Sequence, residues 1–527
     1  MGLLTNPATG SGKIIKFLLK RERPLCFFLY ISGIIWILLL ALPIFNDNTY
    51  FSENALLPGL VTKESNLAQT AKQYYIHLIH EMKRYPDVMP YAWLAAKLNQ
   101  LHLDVFTHNF TLVYPFQEQQ FTGQNIYGIM RAPRAASTEA IVVSVPFRPI
   151  NSIYLDTAPS IALLLAFAKF CRKQKYWAKD IVFLITEHEQ LGIQAWLDAY
   201  HGVTSGNKGI LISGDLPGRA GSIQTAINLE LHSMKITSID VKVEGLNGRL
   251  PNLDLFNLAQ NMIAKEGIRQ SFQKRFNVKY KNKFNYWWYH FNTLLMMITS
   301  QATGIPTGNH GLFHRYLITI KNHGRFIVNL LFIIYIYILR SLNNLLERFH
   351  QSYFFYLLPS TDTYISIVIL KLIIVTSRQM KYKNAALICV IALVEFGTVL
   401  MCIAMHNFSL ALLTAVIYVP FVFVLPIAPK QNLTNLFIMC YTYMYFFSDS
   451  LPSILFRGYR ATKQAFVFSI MDSMIYGNWL YDVTVFTMFP IWFIFWNILF
   501  NRKKYFEYLL THRRIYKTNT CENRKLS

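Results

Sequence analysis

An acidic cluster near the middle of the chain has residue types suited to acid–base or metal-assisted chemistry. Glu187, His188 and Glu189 come directly after the segment 181–185, which is apolar at every position. A short run that is apolar on both faces is typical of a buried parallel strand, and residues 193–200 after it have the spacing of a helix. Carboxylates at the carboxyl end of such a strand lie where open α/β sheets hold their ligands. The pattern therefore favours an enzyme-like site.

The elements around this cluster alternate between strands and helices. Such alternation predicts an α/β domain with a mostly parallel sheet. The segment 267–283 carries six Lys or Arg side chains among aromatic residues and is expected to be a solvated loop, with contact to anionic lipid as the alternative. The predicted helices are 68–82, 93–101, 159–171 and 193–200, with another beginning near Pro251, and the predicted strands are 104–113, 125–131, 140–145, 180–186, 209–212 and 223–231.

The chain as a whole is too apolar for a single soluble domain, because 53% of its 527 residues are hydrophobic. Residues 25–45 form a run of 21 positions without a charge, enough to span a bilayer core of ~30 Å. Basic residues within 1–24 should keep the N-terminus in the cytoplasm. A cleavable signal peptide is disfavoured, since the run is long for one and no small-x-small cleavage site follows it. The sequence therefore predicts a retained signal anchor.

Five further apolar runs follow the mixed region 46–325. The weakest of them, 354–376, is interrupted by Asp362 and Lys371. With the anchor they make six spans and place both termini in the cytoplasm, in agreement with the basic loops and the basic tail at 501–527. The other runs, which complete a predicted bundle of about five spans at 353–500, are 385–405, 407–428, 435–456 and 480–500.

The region 326–352 is expected to be an amphipathic helix rather than a span. Its apolar run, 326–339, has 14 residues, too few to cross a bilayer, so an interfacial or buried helix is favoured. The net charge of +23 is partly explained by the basic residues that flank the spans. The spans also argue against a nucleic-acid-binding protein, which needs a basic face with interleaved aromatic residues.

The large mixed region is predicted to lie in the lumen and to fold without an internal disulfide. Of the six cysteines, Cys171 is the one that falls within it. A region of this size can build a hydrophobic core without cross-links. Asn109-Phe-Thr111 is a glycosylation sequon, which would be modified if the region is lumenal, although short sequons also arise by chance.

The order of strands, helices and acidic strand ends resembles the zinc aminopeptidase superfamily. Enzymes of that superfamily hold two metal ions with a His-x-Asp pair, a second Asp, a Glu-Glu pair, a later acid and a late His. In this chain Pro146-Phe147-Arg148 stands at the His-x-Asp position and offers a cation instead of ligands. The favoured interpretation is a peptidase fold that has lost its chemistry, and a single bound metal is the alternative. The residues that match the remaining ligand positions are Asp156, Glu187, His188, Glu230 and His310.

A second resemblance covers residues 1–360 and is carried by long ordered motifs. They include Tyr127-Gly-Ile-Met-Arg-Ala-Pro-Arg-Ala-Ala-Ser137, Tyr176-Trp-Ala-Lys-Asp-Ile-Val-Phe-Leu184 and Leu250-Pro-Asn-Leu-Asp-Leu255. On these motifs the chain resembles the glycosylphosphatidylinositol anchor attachment protein 1 family. The resemblance implies a noncatalytic subunit of the glycosylphosphatidylinositol transamidase in the endoplasmic reticulum membrane. Its partners there would be the other subunits, including a legumain-like cysteine protease, and the glycolipid itself. The chain is shorter than the family between residues 374 and 385.

The expected lipid-binding surface lies at the membrane rather than at the peptidase-like edge. Tyr50 and Ser52 follow the lumenal end of the anchor, and His350, Gln351 and Ser352 end the amphipathic region beside an aromatic run. Polar donors beside an apolar floor suit a phosphorylated glycan headgroup. No resident cofactor and no catalytic residue are expected, and a divalent cation at the lipid phosphates is the one candidate ion. Two alternatives stay open: a metal-dependent amide-forming or hydrolysing enzyme with Glu187 as its base, and a membrane scaffold.

Overall fold

The computed structural model describes most of the region before residue 367 and parts of the region after it. The described residues are 37–51, 68–114, 119–233, 238–276, 282–313, 317–323, 328–344, 356–366, 385–424 and 467–479, without positions 135 and 307, together with a few separate positions.

Ten strands of the described region form one mixed sheet, in the order β10-β9-β8-β11-β7-β4-β5-β3-β2-β6. The four central strands β11, β7, β4 and β5 are parallel to one another. The strands are β2 (Asp104–Val113), β3 (Gln120–Met130), β4 (Glu139–Pro146), β5 (Asp180–Thr186), β6 (Leu211–Ile212), β7 (Ser222–Glu230), β8 (Ser238–Lys242), β9 (Arg269–Phe272), β10 (Arg275–Phe276) and β11 (Leu317–His323), while β1 (Asp47–Asn48) lies in a separate small sheet.

The prediction of a mostly parallel sheet is wrong, because five of the nine strand pairs in this sheet are antiparallel. β3 pairs antiparallel with both β2 and β5, and β11 pairs antiparallel with β8. β2 and β3 are separated by a short connection, and a connection of that length can join only antiparallel neighbours. The parallel strands β4, β5 and β7 are instead linked through helices or longer segments, as crossover connections require.

Helices cover both faces of the sheet. On one face α3 packs with α1, α5 and α7, and on the other α4 packs beside β3. The helices are α1 (Ala68–Arg84), α2 (Tyr91–Gln100), α3 (Ala158–Lys173), α4 (Gln190–His201), α5 (Leu253–Lys265), α6 (Lys283–Thr303), α7 (Val328–Asn344), α8 (Ala385–His406) and α9 (Phe408–Val424), with short 3-10 helices at Pro43–Phe45, Leu246–Gly248 and Asn309–Phe313.

The continuous apolar run of β5 is explained by burial on both sides. Ile181, Phe183 and Ile185 pack into the core under α3, whereas Val182 and Leu184 pack into the core under α4. All five side chains are fully buried. The middle of a strand that is covered on both faces favours apolar residues, and each side chain of this size contributes roughly 1.5–3 kcal/mol when it leaves water. The carboxyl end of β5 is therefore held rigidly.

The prediction of a solvated loop at 267–283 is wrong for its described part. Residues 269–276 form the hairpin of β9 and β10, and Lys283 begins α6. Ser271 and Phe272 are buried, while Arg269 is exposed. Of the basic residues, Arg269 and Arg275 thus lie in strands and Lys274 in the turn between them, so charge alone did not reveal the hairpin.

The apolar run 326–339 contributes to a helix that is buried against the α/β domain. In α7 the side chains 336–339 and Leu342 are almost inaccessible to solvent. Asn343 accepts a hydrogen bond from the Ala178 backbone N–H at 2.8 Å, and Arg340 lies over the Tyr176 ring at 4.9 Å from its centroid. The described part of this helix therefore packs as a core element. Residues 345–352 of the predicted amphipathic region are outside the described residues.

Part of the weak predicted span at 354–376 is wrong. Tyr356–Leu357 (β12) and Thr363–Ser366 (β13) are strands, and with β1 they form a three-stranded antiparallel sheet. Tyr356 and Leu357 are fully buried, so their apolar character serves the core of the domain. The predicted span therefore does not begin at residue 354, and the rest of its run, 367–376, lies outside the described residues. Among the residues that the structure describes, no helix is both long enough and apolar enough to cross a membrane.

Candidate functional site

Three parallel strands bring their carboxyl ends to one edge of the sheet. β4 and β5 are in register at Pro146 and Thr186, and β4 and β7 are in register up to Ser144 and Asn228. The residues that follow each strand end must therefore lie side by side. The residues so assembled are Arg148 after β4, Glu187, His188 and Glu189 after β5, and Glu230 at the end of β7.

Arg148 occupies the centre of this edge and binds two of the carboxylates. Its Nε and Nη2 donate to the two oxygens of Glu189 at 2.7 and 3.1 Å, a bidentate arrangement. Nη2 also lies 3.5 Å from Oε2 of Glu230. Arg148 is 8% exposed and Glu230 is 2% exposed. Burial alone lowers the pKa of Arg148, but the hydrogen bonds and charges of Glu189 and Glu230 outweigh it and raise the pKa, so the guanidinium stays charged.

Glu230 is held by a second set of contacts that begins in the neighbouring strand. The Asn228 amide donates to Oε1 of Glu230 at 3.2 Å, and the Ser144 hydroxyl donates to Oδ1 of Asn228 at 3.0 Å. All three side chains are buried. Buried polar groups of this kind are stable only when they are hydrogen-bonded, and this chain of contacts satisfies them.

Glu187 is engaged by groups from α2 and β3. Its Oε2 accepts from the Tyr91 hydroxyl at 2.6 Å and from the Gln124 backbone N–H at 2.8 Å. Burial raises the pKa of Tyr91, and the hydrogen bond to Glu187 raises it further, so the phenol remains a donor. Asn125 accepts from the Glu187 backbone N–H at 3.1 Å and donates to the carbonyl of Gly192 at 2.8 Å. These contacts fix the carboxylate in place.

The turn after β5 is strained at two consecutive residues. His188 has φ 55° and Glu189 has φ 49°, in the left-handed region that side chains with a Cβ seldom adopt. A Cβ added at Gly192 would lie 2.1 Å from the Glu187 carbonyl oxygen, so no other residue type fits there. Strained turns of this kind are common at functional sites. In this chain the turn directs Glu189 to Arg148 and leaves His188 exposed beside Phe110.

The two remaining predicted ligands are His310 and Asp156. His310, in the 3-10 helix 309–313, is buried, and both its Nδ1 and Oε1 of Glu230 border Gly308, at 3.1 and 3.3 Å from a Cβ placed there. Asp156 is half-buried, and its carbonyl oxygen lies 3.2 Å from Nδ1 of His232. Burial raises the pKa of Asp156. The structure thus brings His310 close to Glu230, while Asp156 precedes Thr157, whose hydroxyl accepts from the Arg148 backbone N–H at 3.2 Å.

A pair of metal ions does not fit this arrangement. Arg148 places a permanent cation between Glu189 and Glu230, and a divalent ion there would be repelled. Glu187 is engaged by Tyr91 and Gln124. In the described residues no three His, Cys, Asp or Glu side chains come together in a group that could hold a metal ion.

A comparison of the sequence with protein-family models shows which family this chain belongs to. The model of the family described as "Gaa1-like, GPI transamidase component" matches residues 122–371 and 367–496. The chain belongs to this family. The match includes every strand and helix of the described region from β4 to α9, and it confirms the resemblance drawn from the sequence motifs.

Two curated relatives from yeasts carry the same description. The GPI transamidase component GAA1 of Saccharomyces cerevisiae is 30% identical over 340 residues, which are 60% of this chain and 50% of the relative. The GPI transamidase component gaa1 of Schizosaccharomyces pombe is 29% identical over 383 residues, or 65% of this chain and 60% of the relative. The chain thus spans about half to three fifths of the length of these family members.

Solved structures with partial similarity include a glutaminyl cyclase and an aminopeptidase. Glutaminyl cyclase of Fimbriiglobus ruber is 12% identical, covers 55% of this chain and 98% of its own, and has a TM-score of 0.34. LapA aminopeptidase of Legionella pneumophila is 12% identical, covers 55% of this chain and 80% of its own, and has a TM-score of 0.32. Scores of this size do not establish a shared fold, so the architecture rests on the strand order and register of the Gaa1-like chain itself.

One feature of the family motifs was missed in the sequence. Asp180 is fully buried and accepts hydrogen bonds from the backbone N–H groups of Ala132 and Ser137, at 2.7 and 3.0 Å, and from Arg131 at 3.2 Å. The two motifs 127–137 and 176–184 therefore meet at one carboxylate, which orders the loop after β3. A buried strand that begins with Asp was the available signal, because such a charge needs partners.

The predicted lipid-binding and glycosylation residues are described only in part. Tyr50 is 54% exposed, and its carbonyl accepts from Asn257 at 2.8 Å. Ser52, His350, Gln351 and Ser352 lie outside the described residues. Asn109 is exposed on β2, where it pairs with Gln124 of β3.

Proposed function

We propose that this chain is a noncatalytic subunit of the glycosylphosphatidylinositol (GPI) transamidase, where it binds the GPI glycolipid and presents it for attachment to proteins. Membership of the Gaa1-like family supports the role in the complex. The observation that favours a noncatalytic role is Arg148, whose guanidinium binds Glu189 and Glu230 at the one edge that resembles a peptidase site. The alternative of a metal-dependent amide-forming or hydrolysing enzyme needs that position for an ion.

The proposed setting is the endoplasmic reticulum membrane, with the α/β domain in the lumen and both termini in the cytoplasm. In the complex a legumain-like cysteine protease subunit would form the thioester that the ethanolamine of the glycolipid attacks. This chain would then contribute orientation of the lipid, which lowers the barrier because the amine is held near the reacting carbon.

The small sheet of β1, β13 and β12 supports a lipid surface near Tyr50. β1 ends two residues before Tyr50, and β12 begins four residues after Ser352. β1 and β12 flank the same strand, about 10 Å apart, and four extended residues reach at most ~14 Å. The two predicted lipid-contacting segments are thus tied to the same small sheet. Thr49 donates its backbone N–H to the Asp362 carbonyl at 3.0 Å, which fixes the entry to Tyr50.

We expect Tyr50→Ala and Gln351→Ala to reduce the GPI lipid that co-purifies with the assembled complex and to slow anchor attachment several-fold. The backbone contacts of residue 50 do not depend on its side chain, so assembly should be preserved. Tyr85→Ala is the matched control for Tyr50, since Tyr85 is 55% exposed and lies at the end of the α1 region. Normal lipid content and normal attachment in both variants would contradict the proposed lipid site.

A further inference from the structure

Helix α6 has an unusual composition for an exposed helix of a folded domain. It has 21 residues, Lys283–Thr303, and Lys283 is its sole Lys, Arg, Asp or Glu residue. One face is buried, with Leu294, Met297 and Ile298 in the main core. The opposite face carries four exposed apolar side chains, Phe284 (63%), Trp288 (49%), Leu295 (40%) and Met296 (44%), among the uncharged polar residues Asn285, Asn292 and Thr299.

The exposed aromatic residues form a ladder along the first three turns of α6. Phe284 and Trp288 are stacked at 6.5 Å between ring centroids, and Trp287 and Phe291 are stacked at 5.4 Å. Trp288 and Phe291 are 6.1 Å apart. Contiguous apolar surface of this kind, unlike single exposed residues, marks an interaction site. Tryptophan and other aromatic rings are also the residues that concentrate at the headgroup level of bilayers.

The N-terminal end of α6 contacts the predicted membrane anchor. The Trp287 indole N–H donates to the Leu38 carbonyl oxygen at 3.0 Å. Leu38 belongs to the apolar run 25–45, and it is itself 36% exposed, as Ile35 is 48% exposed. The aromatic ladder is thus placed beside apolar surface of the anchor.

The C-terminal end of α6 contacts the junction between the two apolar helices α8 and α9. The Gln301 carbonyl accepts from Asn407 at 2.8 Å, and Oε1 of Gln301 accepts from the Ser409 hydroxyl at 2.6 Å. These residues are buried. Asn407 lies between α8 and α9, where two predicted spans meet on the lumenal side.

We propose that α6 lies along the surface of the bilayer, with the face of Phe284, Trp288, Leu295 and Met296 in the lumenal leaflet. A helix of 21 residues is about 30 Å long, and each of its ends contacts a segment that is predicted to enter the membrane. The exposed face of α6 is therefore turned to the lumenal leaflet that lies between the predicted anchor and the junction of α8 and α9. The inference does not depend on the proposed glycolipid site.

The segment that precedes and forms α6 carries positive but no negative charge. This suits contact with phospholipid headgroups better than contact with a protein surface of mixed charge. Residues 267–303 contain no Asp or Glu, and the six basic residues all precede the aromatic ladder or begin α6. Basic side chains beside an apolar face bind phosphate headgroups and bury the apolar face below them. Arg275 of β10 lies over the Tyr289 ring of α6, 5.4 Å from the ring centroid, so part of this basic segment contacts the helix.

Photocrosslinking in the assembled complex tests this placement. Benzoylphenylalanine is introduced in separate variants at Trp288, at Leu295, at Ile35 as the positive control and at Tyr85 as the exposed control. The complexes are reconstituted with radiolabelled phosphatidylcholine and irradiated. We expect positions 288 and 295 to form labelled lipid adducts in amounts comparable to those at position 35. Position 85 is expected to form almost none.

Each other result overturns the inference. Adducts between position 288 or 295 and another subunit would mean that protein covers this face. Lipid labelling at 288 and 295 as low as at 85, with labelling at 35 intact, would place the face in water. Because 288 and 295 are exposed and the introduced residue is aromatic, the variants keep the buried side of α6 unchanged, and assembly with the other subunits verifies folding.

Discussion

Replacement of Arg148 by methionine is expected to destabilise the α/β domain by about 3–5 kcal/mol, because a buried ion pair loses one partner and leaves the other uncompensated. Glu230 is 2% exposed and would keep Asn228 as a donor while losing the opposing charge. Glu189 would lose both bonds of its bidentate contact. The measurement is the free energy of unfolding of the purified full chain at neutral pH, from denaturant titration followed by the fluorescence of the buried tryptophans.

A triple variant distinguishes this effect from loss of packing. Arg148→Met with Glu189→Gln and Glu230→Gln removes the charges together, and most of the lost stability should return, since a buried ion pair replaced as a whole is often neutral. If the free energy of unfolding of Arg148→Met equals that of the unmodified chain, the guanidinium does not compensate the charges of Glu189 and Glu230. If the triple variant is no more stable than the single one, the cost comes from packing alone.

The second large effect is expected at Asp180, the carboxylate that joins the two longest family motifs. Asp180→Ala should cost about 3 kcal/mol, because two backbone N–H groups and Arg131 lose a charged acceptor in a buried setting. The loop at 131–137 should also become more accessible to hydrogen exchange. Unfolding free energy and amide exchange of this loop are the measurements.

Asp104 offers a matched control on the same arginine. Its Oδ2 accepts from Nε of Arg131 at 3.1 Å, but its side chain is 52% exposed, whereas that of Asp180 is fully buried. Asp104→Ala is therefore expected to cost less than about 1 kcal/mol. Equal losses at the two positions would show that the ion pair, rather than the burial of Asp180 and its backbone donors, sets the stability of the loop.

The sequence predicted the strands best where burial alone determines the order of apolar and polar residues. The bounds predicted for the strands at 104–113 and 180–186 agree with β2 and β5, because alternation and a fully apolar run are direct signatures of one-sided and two-sided burial. The acidic strand ends at Glu187 and Glu230 and the arginine at position 148 were also identified from the sequence. The parallel centre of the sheet followed from the alternation of strands and helices.

The sequence could not predict which side chains pair at the site. Arg148 and Glu189 are separated by 41 positions, and their contact depends on the left-handed backbone at His188 and Glu189, which no local pattern indicates. The strands at 356–366 were taken for part of a span because buried core and membrane segments have the same apolar composition. Helix α6 was missed for a related reason, since large apolar side chains lie on its exposed face as well as its buried face and weaken the usual amphipathic contrast.

The central claim is that the acidic edge of the sheet does no chemistry in the transamidase. The most direct measurement is the rate of GPI attachment to a reporter protein by the complex that carries Glu187→Gln. The glutamine oxygen can still accept from Tyr91 and Gln124, so folding and assembly are preserved. The account predicts an attachment rate equal to that of the unmodified complex. A loss of about 100-fold or more with the complex fully assembled, as removal of a general base produces, would contradict it.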